Sequence, residues 1–180
     1  MQKVQPIKKM CDIEKIKLHL KESNKRNYLL FVIGINTGIK SNQILNLKIR
    51  YVVDDEYKIK EYIGIDNKEY FINEPISQAV KEFLEENEID LNSYLFESQK
   101  SDLPINRSHL YRILNKAVSE CNIDIHIGNE TLRKTFGYHY YYKTRDVKYL
   151  KEIFNQASQK TLFEYLGIDN DLVECKEFFL

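Results

Sequence analysis

The sequence has few cysteines and no long apolar run. Its three cysteines lie far apart, form no Cys-x-x-Cys pair and have no histidine at ligand spacing: Cys11, Cys121 and Cys175. This distribution is typical of reduced thiols in a cytoplasmic protein and argues against a disulfide framework or a zinc site. The longest apolar run, residues 28–35, is far shorter than the roughly 20 residues of a membrane span. Residues 1–17 have no apolar segment followed by a small-residue cleavage site, so we expect no secretion signal and no association with a membrane.

The sequence also lacks a net charge, because 27 basic residues balance 27 acidic residues. The charges are nevertheless segregated. Residues 54–90 contain twelve acidic residues and four lysines, whereas residues 129–160 contain seven basic residues and three acidic residues. Such runs are usually solvated surfaces, but this segregation could also form one basic surface on a neutral protein.

A length of 180 residues, without repeats or a low-complexity linker, predicts one domain over residues 1–180. Residues 51–73 alternate in polarity around Asp66-Asn67, which predicts an antiparallel hairpin. Residues 93–98 fit a short strand or an extended connector. The other patterns predict a helix after an Asp12 cap, a short helix capped by Ser41 or Asn42, and helices over residues 27–36, 76–88, 105–122, 130–142, 147–155 and 158–166. The predicted fold class is therefore α+β, mostly helical with a small antiparallel sheet.

Four short motifs occur in a definite order. TGIK at residues 37–40 ends a buried helix, and YIGIDNKEYFIN occupies the hairpin. ETLRKTFGYH begins at residue 130, and TLFEYLGI at residues 161–168 follows DVKYLKEIFNQAS. This series resembles the catalytic domain of the tyrosine recombinases, the phage integrase family. The corresponding family motifs are T-G-L-R-x-x-E, a hairpin lysine, H-x-L-R-H/K-T-F, L-G-H-S/T and a tyrosine eight or nine residues later.

The resemblance implies DNA strand cleavage without a metal or another cofactor. In the family, a tyrosine hydroxyl attacks a DNA phosphodiester and leaves a 3′-phosphotyrosine and a free 5′-hydroxyl. Two arginines bind the non-bridging oxygens, where negative charge develops in the transition state. A hairpin lysine protonates the departing oxygen, and two histidine-type positions add hydrogen bonds.

Carried over to this sequence, the motifs place the nucleophile at Tyr165 and the second arginine at Arg133. The first arginine corresponds to Lys40, and the acid that follows it corresponds to Gln43. The two histidine-type positions hold Glu130 and Gln156. The hairpin lysine aligns near Ile65, although Lys68 on the same turn could take its role.

Gln43 and Ile65 depart from the family pattern, and three further departures bear on cleavage. Lys40 keeps a charge but loses the two-pronged guanidinium. Glu130 brings a carboxylate toward a negatively charged phosphate, and Gln156 replaces a histidine. These departures predict weakened cleavage unless Glu130 turns away or pairs with Arg133 or Lys134.

Each candidate also has a structural interpretation. Tyr165 lies between Leu162 and Leu166, as a core tyrosine would. Arg133 could bind phosphate, form a buried salt bridge with Glu130 or bond to Gln43. Lys40 could simply complement a helix dipole.

Other residues are candidates for binding double-stranded DNA. Arg107, Tyr111 and Arg112 lie within about one turn of a predicted helix, which could track phosphates or enter the major groove. Further cations follow the arginine motif: Lys134, Lys143 and Arg145. We expect the rings of residues 138–142 to pack around Gly137, where the small residue allows another helix to approach closely.

The resemblance also implies an organisation and a set of partners. Family members typically carry an N-terminal DNA-clamping domain, which we expect to be absent here. Residues 169–180 correspond to a tail that docks on a neighbouring recombinase subunit, although folding back onto its own core is equally compatible with the sequence. Three functions remain open: a weakened recombinase acting in DNA integration, a non-cleaving DNA-binding regulator of a phage or mobile element, and a protein-interaction module.

Overall fold

A central apolar helix organises the main core, and the described part of the chain adds seven further helices and two small hairpins. The computed structural model describes residues 4–86 and 90–168. Its elements in chain order are the helices α1 (Met10–Ser23), α2 (Lys25–Thr37) and α3 (Ser41–Leu45), a 3₁₀ turn (Ile49–Tyr51), strands β1 (Tyr62–Ile65) and β2 (Lys68–Phe71), helix α4 (Glu74–Leu84), strands β3 (Glu97–Ser98) and β4 (Ser101–Pro104), and helices α5 (Arg107–Glu120), α6 (Thr131–Thr144), α7 (Val147–Phe154) and α8 (Gln159–Leu166). The mostly helical α+β prediction is confirmed.

Side-chain caps fix the starts of several helices. Asn73, Asn106, Asp146 and Ser158 each accept a hydrogen bond from a backbone N–H in the first turn of α4, α5, α7 and α8, respectively. These bonds satisfy N–H groups that have no partner within the helix. Local polar residues therefore set where these four helices begin.

Two sequence predictions of helix starts are wrong in detail. Helix α1 begins at Met10, so Asp12 lies in its first turn instead of capping it. Helix α3 begins at Ser41 with Lys40 at the cap position, so neither Ser41 nor Asn42 is the cap. The helices themselves lie where the periodicity predicts them.

The predicted hairpin is formed by β1 and β2. Ile63 faces Tyr70 and Ile65 faces Lys68 in an antiparallel ladder. Asp66 and Asn67 both have positive φ, at 48° and 60°, as a tight hairpin turn requires. The strand pattern extends less far than residues 51–73, since the segment before β1 contributes an isolated bridge between Val53 and Ile59.

A second hairpin, formed by β3 and β4, was not predicted. Glu97 pairs with Pro104 and Ser98 pairs with Ser101, with a register irregularity between the two pairs. This hairpin directly precedes the Asn106 cap of α5. Its strands are too short to carry a clear alternating pattern, which explains why residues 93–98 remained ambiguous.

The core has two parts that meet at α6. The larger part centres on α2, whose apolar face contacts α1, α4 and α6. The smaller part lies between α6, α7 and α8 and contains Phe136, Leu150 and Leu162. Helix α6 therefore connects the main core to the last two helices. In the described part of the chain, no helix combines the length and the apolarity of a membrane span.

Candidate active site

Arg133 ties three segments of the chain together. It lies in the first turns of α6 and its side chain is almost fully buried. Its Nε donates to the carbonyl of Gly38 and its Nη2 donates to the carbonyl of Ile153, each at 2.9 Å. The guanidinium carbon lies 4.7 Å from the centroid of the Phe154 ring. Arg133 thus joins the end of α2, the start of α6 and the end of α7.

These contacts differ from the two structural alternatives that the sequence suggested for Arg133. Glu130 does not pair with Arg133, because its carboxylate bonds to Tyr165. Gln43 donates from Nε2 to Asp66 Oδ2 at 2.7 Å, across to the β1–β2 turn. Within residues 4–86 and 90–168, Arg133 uses two of its five N–H donors, which leaves donors available for an anion.

Tyr165 and Glu130 form a direct hydrogen bond. The hydroxyl of Tyr165 donates to Glu130 Oε2 at 2.5 Å. Burial raises the pKa of Tyr165 above its ordinary value, and the hydrogen bond to Glu130 and the charge of that carboxylate raise it further. The positive charge of Arg133 opposes this shift. The phenol is therefore protonated at neutral pH.

Packing between α6 and α8 positions Tyr165. A Cβ atom placed on Gly137 would lie 2.5 Å from Leu166 Cδ2 and 2.8 Å from Phe154 Cζ, so glycine permits this close approach. The Tyr165 ring packs against Phe154, with 5.5 Å between the ring centroids. The expected close approach of a helix at Gly137 is thus confirmed, and it brings Tyr165 beside Phe154 and Arg133.

Lys134 lies on the other side of Tyr165. Its Nζ is 4.7 Å from the centroid of the Tyr165 ring and donates to the carbonyl of Val4 at 2.9 Å. Residues 4–8 lie along α6, where the Ile7 N–H donates to Thr135 Oγ1 at 2.9 Å. Lys134 is buried. Its position therefore favours a structural role beside the Tyr165 ring, instead of the DNA contact that the sequence suggested.

The hairpin lysine lies close to the segment that binds Arg133. Lys68 begins β2, and its Nζ lies 3.4 Å from the carbonyl oxygen of Glu152. The next residue, Ile153, provides the carbonyl that binds Arg133. Lys68 and Arg133 therefore bond to consecutive backbone carbonyls of α7, whereas the aligned position Ile65 carries no ionisable group. The β1–β2 turn is held from the other side by Gln43.

Lys40 and Gln156 lie in the two loops that flank this arrangement. Lys40 is exposed and follows the Gly38 carbonyl that binds Arg133 by two residues. Gly38 has a φ of 68°, which ends α2 and turns the chain toward Lys40. Gln156 is half-buried after α7, and its backbone N–H donates to the Lys151 carbonyl at 2.9 Å. In the described residues, neither side chain makes a hydrogen bond.

The candidate DNA-binding residues on α5 are exposed: Arg107, Tyr111 and Arg112. Burial lowers the pKa of the neighbouring His109, and the cations Arg26, Arg112 and Lys100 lower it further. The three neighbouring cations, rather than the shift itself, show that positive charge collects around His109.

Lys143 in the last turn of α6 and Arg145 at its C-cap are also exposed. The guanidinium carbon of Arg145 lies 4.7 Å and 4.9 Å from the ring centroids of Tyr141 and Tyr142. Lys143 borders a cavity of about 360 Å³ together with Tyr140 and Tyr149. Arg145 thus has an aromatic partner, and its contact with DNA stays a prediction.

Sequence reasoning missed the groups that hold Arg133 in place. The Gly38 and Ile153 acceptors are backbone carbonyls, which leave no residue-type signal. Phe154 fits the helical pattern of residues 147–155, and that pattern does not distinguish a ring that stacks on Arg133 from an ordinary core residue. The sequence motif identifies Arg133, but it does not identify the two backbone carbonyls that orient its guanidinium.

This arrangement combines a phenol, a carboxylate acceptor, a guanidinium with available donors and a nearby ammonium. Such groups suit attack on a phosphodiester and stabilisation of the charge that follows. Among residues 4–86 and 90–168, no group of three or more His, Cys, Asp or Glu side chains could hold a metal ion.

Comparison with known proteins identifies related sequences. Residues 5–170 match the Phage integrase family. A probable integrase/recombinase, YoeC of Bacillus subtilis strain 168, is 37% identical over 169 residues, which cover 93% of this chain and 92% of that protein. A tyrosine recombinase of Pseudothermotoga lettingae is 25% identical over 87% of this chain, but the match covers 54% of the relative.

Solved structures have the same fold. The XerA recombinase matches with a TM-score of 0.74 at 20% identity, over 97% of this chain and 63% of that chain. The XerH site-specific recombinase bound to a palindromic difH substrate matches with a TM-score of 0.69 at 25% identity, over 92% of this chain and 50% of that chain. The chain thus spans about half to two thirds of these longer recombinases.

Proposed function

Because this chain belongs to the phage integrase family, we propose that it binds double-stranded DNA and acts in site-specific recombination or DNA integration. In this proposal Tyr165 attacks a backbone phosphorus and forms a 3′-phosphotyrosine, and the 5′-oxygen departs. Rejoining reverses these steps with a new 5′-hydroxyl. The reaction requires no metal or other cofactor.

One observation supports this proposal most strongly. Tyr165, Arg133 and Lys68 are joined through the end of α7, although they are far apart in the sequence. Arg133 bonds to the Ile153 carbonyl and stacks on Phe154. Tyr165 packs on the same Phe154 ring, and Lys68 lies at the preceding carbonyl. A phosphodiester bound beside Arg133 would therefore lie near the other two groups.

Each remaining residue has a defined role in this scheme. Arg133 binds a non-bridging oxygen through its available N–H donors, and Lys40 supplies a second positive charge from the loop after Gly38. Lys68 protonates the departing 5′-oxygen. Gln156 donates a neutral hydrogen bond to the phosphate.

A DNA partner is consistent with the exposed cations of α5 and the end of α6. Arg107, Arg112 and Tyr111 would contact the DNA backbone or the major groove, with Lys143 and Arg145 as further phosphate contacts. Among the structural relatives, XerH is bound to a difH substrate and the Tn1549 transposon integrase to circular intermediate DNA. We propose the same class of ligand for this chain.

A nicked suicide substrate tests the proposal. After cleavage, such a DNA loses the short fragment that carries the 5′-hydroxyl, so the covalent complex accumulates. Wild-type protein should form an adduct that resists denaturation, and Tyr165→Phe should form none while still binding DNA. Absence of an adduct with the wild type, across a panel of integrase core sites, would contradict the proposal.

A DNA-binding regulator without cleavage activity is the alternative function. It is favoured by Lys40, which lacks a guanidinium fork, and by the raised pKa of Tyr165. This alternative predicts a footprint on a defined site that Tyr165→Phe leaves unchanged, with no adduct from either protein. A protein-interaction module would instead show negligible DNA binding at low salt.

We also propose that residues 169–180 dock on a neighbouring recombinase subunit. This segment lies outside the described residues, and its aromatic end, Phe178-Phe179-Leu180, supports a hydrophobic contact. Deletion of residues 172–180 should weaken association between subunits on DNA and leave binding of a single subunit intact. Unchanged assembly of the truncated protein would exclude this role for the tail.

A further inference from the structure

We propose that residues 4–8 form a strap that positions Tyr165 through Lys134. This inference rests on the proposed function, because the position of Tyr165 affects cleavage only if its hydroxyl is the nucleophile. It gives a role to a segment of the chain that carries none of the candidate site residues. In this scheme Lys134 is a positioning residue that acts on the phenol and not on the phosphate.

The strap is bound along α6 through its own backbone. The Ile7 N–H donates to Thr135 Oγ1, and the Ile7 carbonyl accepts from His139 Nε2, each at 2.9 Å. The Val4 carbonyl accepts from Lys134 Nζ, also at 2.9 Å. These bonds fix one extended segment to two successive turns of the helix. Helix α6 therefore sets the course of the strap.

Side-chain packing holds the strap against two further parts of the chain. Pro6 and Ile7 are buried, and Ile7 belongs to the main core. A Cβ atom on Gly128 would clash with the Val4 side chain, so glycine at this position admits the strap. A Cβ atom on Gly167 would lie 3.6 Å from Pro6 Cδ. The strap therefore lies between the loop that precedes α6 and the residue that ends α8.

Lys134 connects the strap to Tyr165. The lysine side chain is buried, and a buried ammonium requires partners that replace water. The Val4 carbonyl accepts a hydrogen bond from Nζ, and the Tyr165 ring centroid lies 4.7 Å from the same atom, within cation–π range. The strap thus holds the ammonium where it contacts the ring.

Three groups together restrain the Tyr165 side chain. The Phe154 ring packs against it with 5.5 Å between the centroids, and Lys134 contacts the ring as well. The Tyr165 hydroxyl donates to Glu130 Oε2. Contacts on the ring and at the hydroxyl fix the direction in which Oη points. A shift of about 1 Å in a reacting group can slow a reaction by about 10²-fold, so the lysine contact bears on the rate.

A strap that only stabilises the fold is the alternative interpretation. Ile7 is buried in the core, so the strap contributes to stability in either case. The two interpretations differ in what Lys134 must be. Positioning requires a cation that bonds to the Val4 carbonyl and contacts the Tyr165 ring, whereas stability alone would be served by an apolar side chain of similar length.

Variants of Lys134 test this difference in single-turnover adduct formation at saturating suicide substrate. Lys134→Met keeps the length but removes the charge and the bond to Val4, and it should slow the reaction by about 10²-fold with unchanged DNA affinity. Lys134→Arg keeps a cation that can bond to a carbonyl and stack on a ring, so it should recover most of the rate. The matched control is Lys48→Met, which removes a similar contact with the Tyr94 ring and should react like the wild type.

A variant of Thr135 loosens the strap without changing the lysine or the phenol. Thr135→Val keeps the side-chain size but removes the acceptor of the Ile7 N–H. It should slow adduct formation by about three- to tenfold, because one bond of several is lost. Thr135→Ser keeps the hydroxyl and should recover most of the rate. Thr144→Val loses a bond to the Tyr140 carbonyl at the other end of α6 and should be unaffected.

A double-mutant cycle shows whether the strap acts through the lysine. If it does, Thr135→Val should not slow Lys134→Met further, because the connection to the ring is already lost. Independent effects would multiply instead. Urea unfolding of each variant establishes that the protein is folded under the assay conditions.

Fluorine NMR supplies a readout that a purely stabilising strap would not change. A fluorotyrosine introduced at position 165 gives one resonance, whose shift between H₂O and D₂O reports the exposure of the ring. This solvent shift should increase in folded Lys134→Met and, to a smaller extent, in Thr135→Val. It should stay at the wild-type value in Lys48→Met.

The outcomes separate this inference from the proposed function. If the wild type forms no adduct, the proposed function fails and the role of the strap in cleavage fails with it. If the wild type forms an adduct and folded Lys134→Met matches its rate, only the positioning role is overturned. A slowed Lys134→Met with an unchanged fluorine resonance, or independent effects in the cycle, would overturn it as well.

Discussion

Arg133 shows how a single side chain organises this site. Its guanidinium is held by two backbone carbonyls and by the face of Phe154, so its position does not depend on a carboxylate partner. A carboxylate would compete with phosphate for the same positive charge. Neutral acceptors instead orient the fork and leave its charge available to an anion.

Arg133→Lys should therefore lose activity although the charge is kept. A lysine has no planar fork, so it cannot bond to both the Gly38 and Ile153 carbonyls and also bind phosphate in the same way. We expect adduct formation to fall by about 10²–10³-fold, as for the loss of one oriented donor in a transition-state site. Arg50→Lys, at an exposed residue that bonds to Asn92, is the control. If Arg133→Lys forms the adduct as fast as Arg50→Lys, the guanidinium fork of Arg133 is not required for cleavage.

Lys68→Ala tests the assignment of the general acid. Loss of the proton donor should slow cleavage of an ordinary phosphodiester by about 10²-fold or more. A substrate with sulfur at the 5′-bridging position has a leaving group that needs no protonation, so it should restore the rate of this variant. The same substrate should not rescue Arg133→Lys, whose defect lies at the non-bridging phosphate oxygens. If Lys68→Ala cleaves the sulfur substrate as slowly as the ordinary substrate, Lys68 is not the general acid.

The arrangement of the candidate site residues was predictable only in part, and their roles stay predictions. Tyr165, Arg133 and Lys68 follow from motif order and are joined through the end of α7. The partner of Glu130 was not predictable, because the pairing depends on how α8 packs against α6. The separation of Glu130 and Tyr165 in the sequence does not show whether their side chains are in contact.

At the level of elements, the contact between α6 and α8 determines where Tyr165, the proposed nucleophile, lies. Gly137 permits the approach of Leu166 and Phe154, and Tyr165 precedes Leu166 directly. Gly137→Ala should push the two helices apart and cost about 1–3 kcal/mol in the free energy of unfolding, the usual range for overpacking. Adduct formation should fall with it, because Tyr165 and Glu130 would separate.

Urea unfolding and the adduct assay test this prediction together. Gly64, where an added Cβ meets nothing within 4 Å, provides the matched control as Gly64→Ala. Equal stability of the two variants would show that α6 and α8 do not depend on this close approach.

A salt bridge between α1 and α4 makes stability depend on pH. Lys21 Nζ lies 2.7 Å from Glu82 Oε1. The hydrogen bond from Lys21 lowers the pKa of Glu82, and a second bond from Gln78 lowers it further. Because the folded pKa lies below the unfolded value, the stabilisation is present above the unfolded pKa and is lost as the pH falls through the folded value.

Glu82→Gln should therefore lower the free energy of unfolding at pH 7 by about 1 kcal/mol, the upper range for a partly exposed pair. The difference from wild type should shrink as the pH falls below the ordinary glutamate pKa of about 4.3, because the wild-type carboxylate is then progressively protonated. Urea denaturation at pH 7 and below about pH 4 measures this difference in the free energy of unfolding. The exposed Glu14→Gln is the control. A difference that does not depend on pH would refute the charge-based account.

Helices were predicted more reliably than strands, and the physical reason is local. Asn73, Asn106 and Ser158 mark helix starts through bonds made within one turn. The β3–β4 hairpin has strands of two and four residues, too short for an alternating pattern to stand out. Its position is set instead by contacts with distant parts of the chain.

At the scale of the whole molecule, zero net charge limits non-specific attraction to DNA, so binding depends on how the cations are distributed. Arg107→Ala and Arg112→Ala should each weaken binding. Each lost phosphate contact should reduce the slope of log affinity against log salt concentration by about 0.9. Fluorescence anisotropy between low and moderate salt measures this slope, with Lys17→Ala on α1 as the control. If the two variants have the same slope as the wild type, Arg107 and Arg112 do not contact DNA phosphates.

The most direct test of the central claim is to identify the residue that becomes attached to DNA. The sequence contains 13 tyrosines, several of them clustered on α6, so an adduct alone does not name the nucleophile. The adduct from a suicide substrate can be digested with protease and nuclease, and the remaining nucleotide-linked peptide sequenced by mass spectrometry. The account predicts a 3′-phosphate ester on Tyr165; attachment at any other residue, or no covalent peptide, would contradict it.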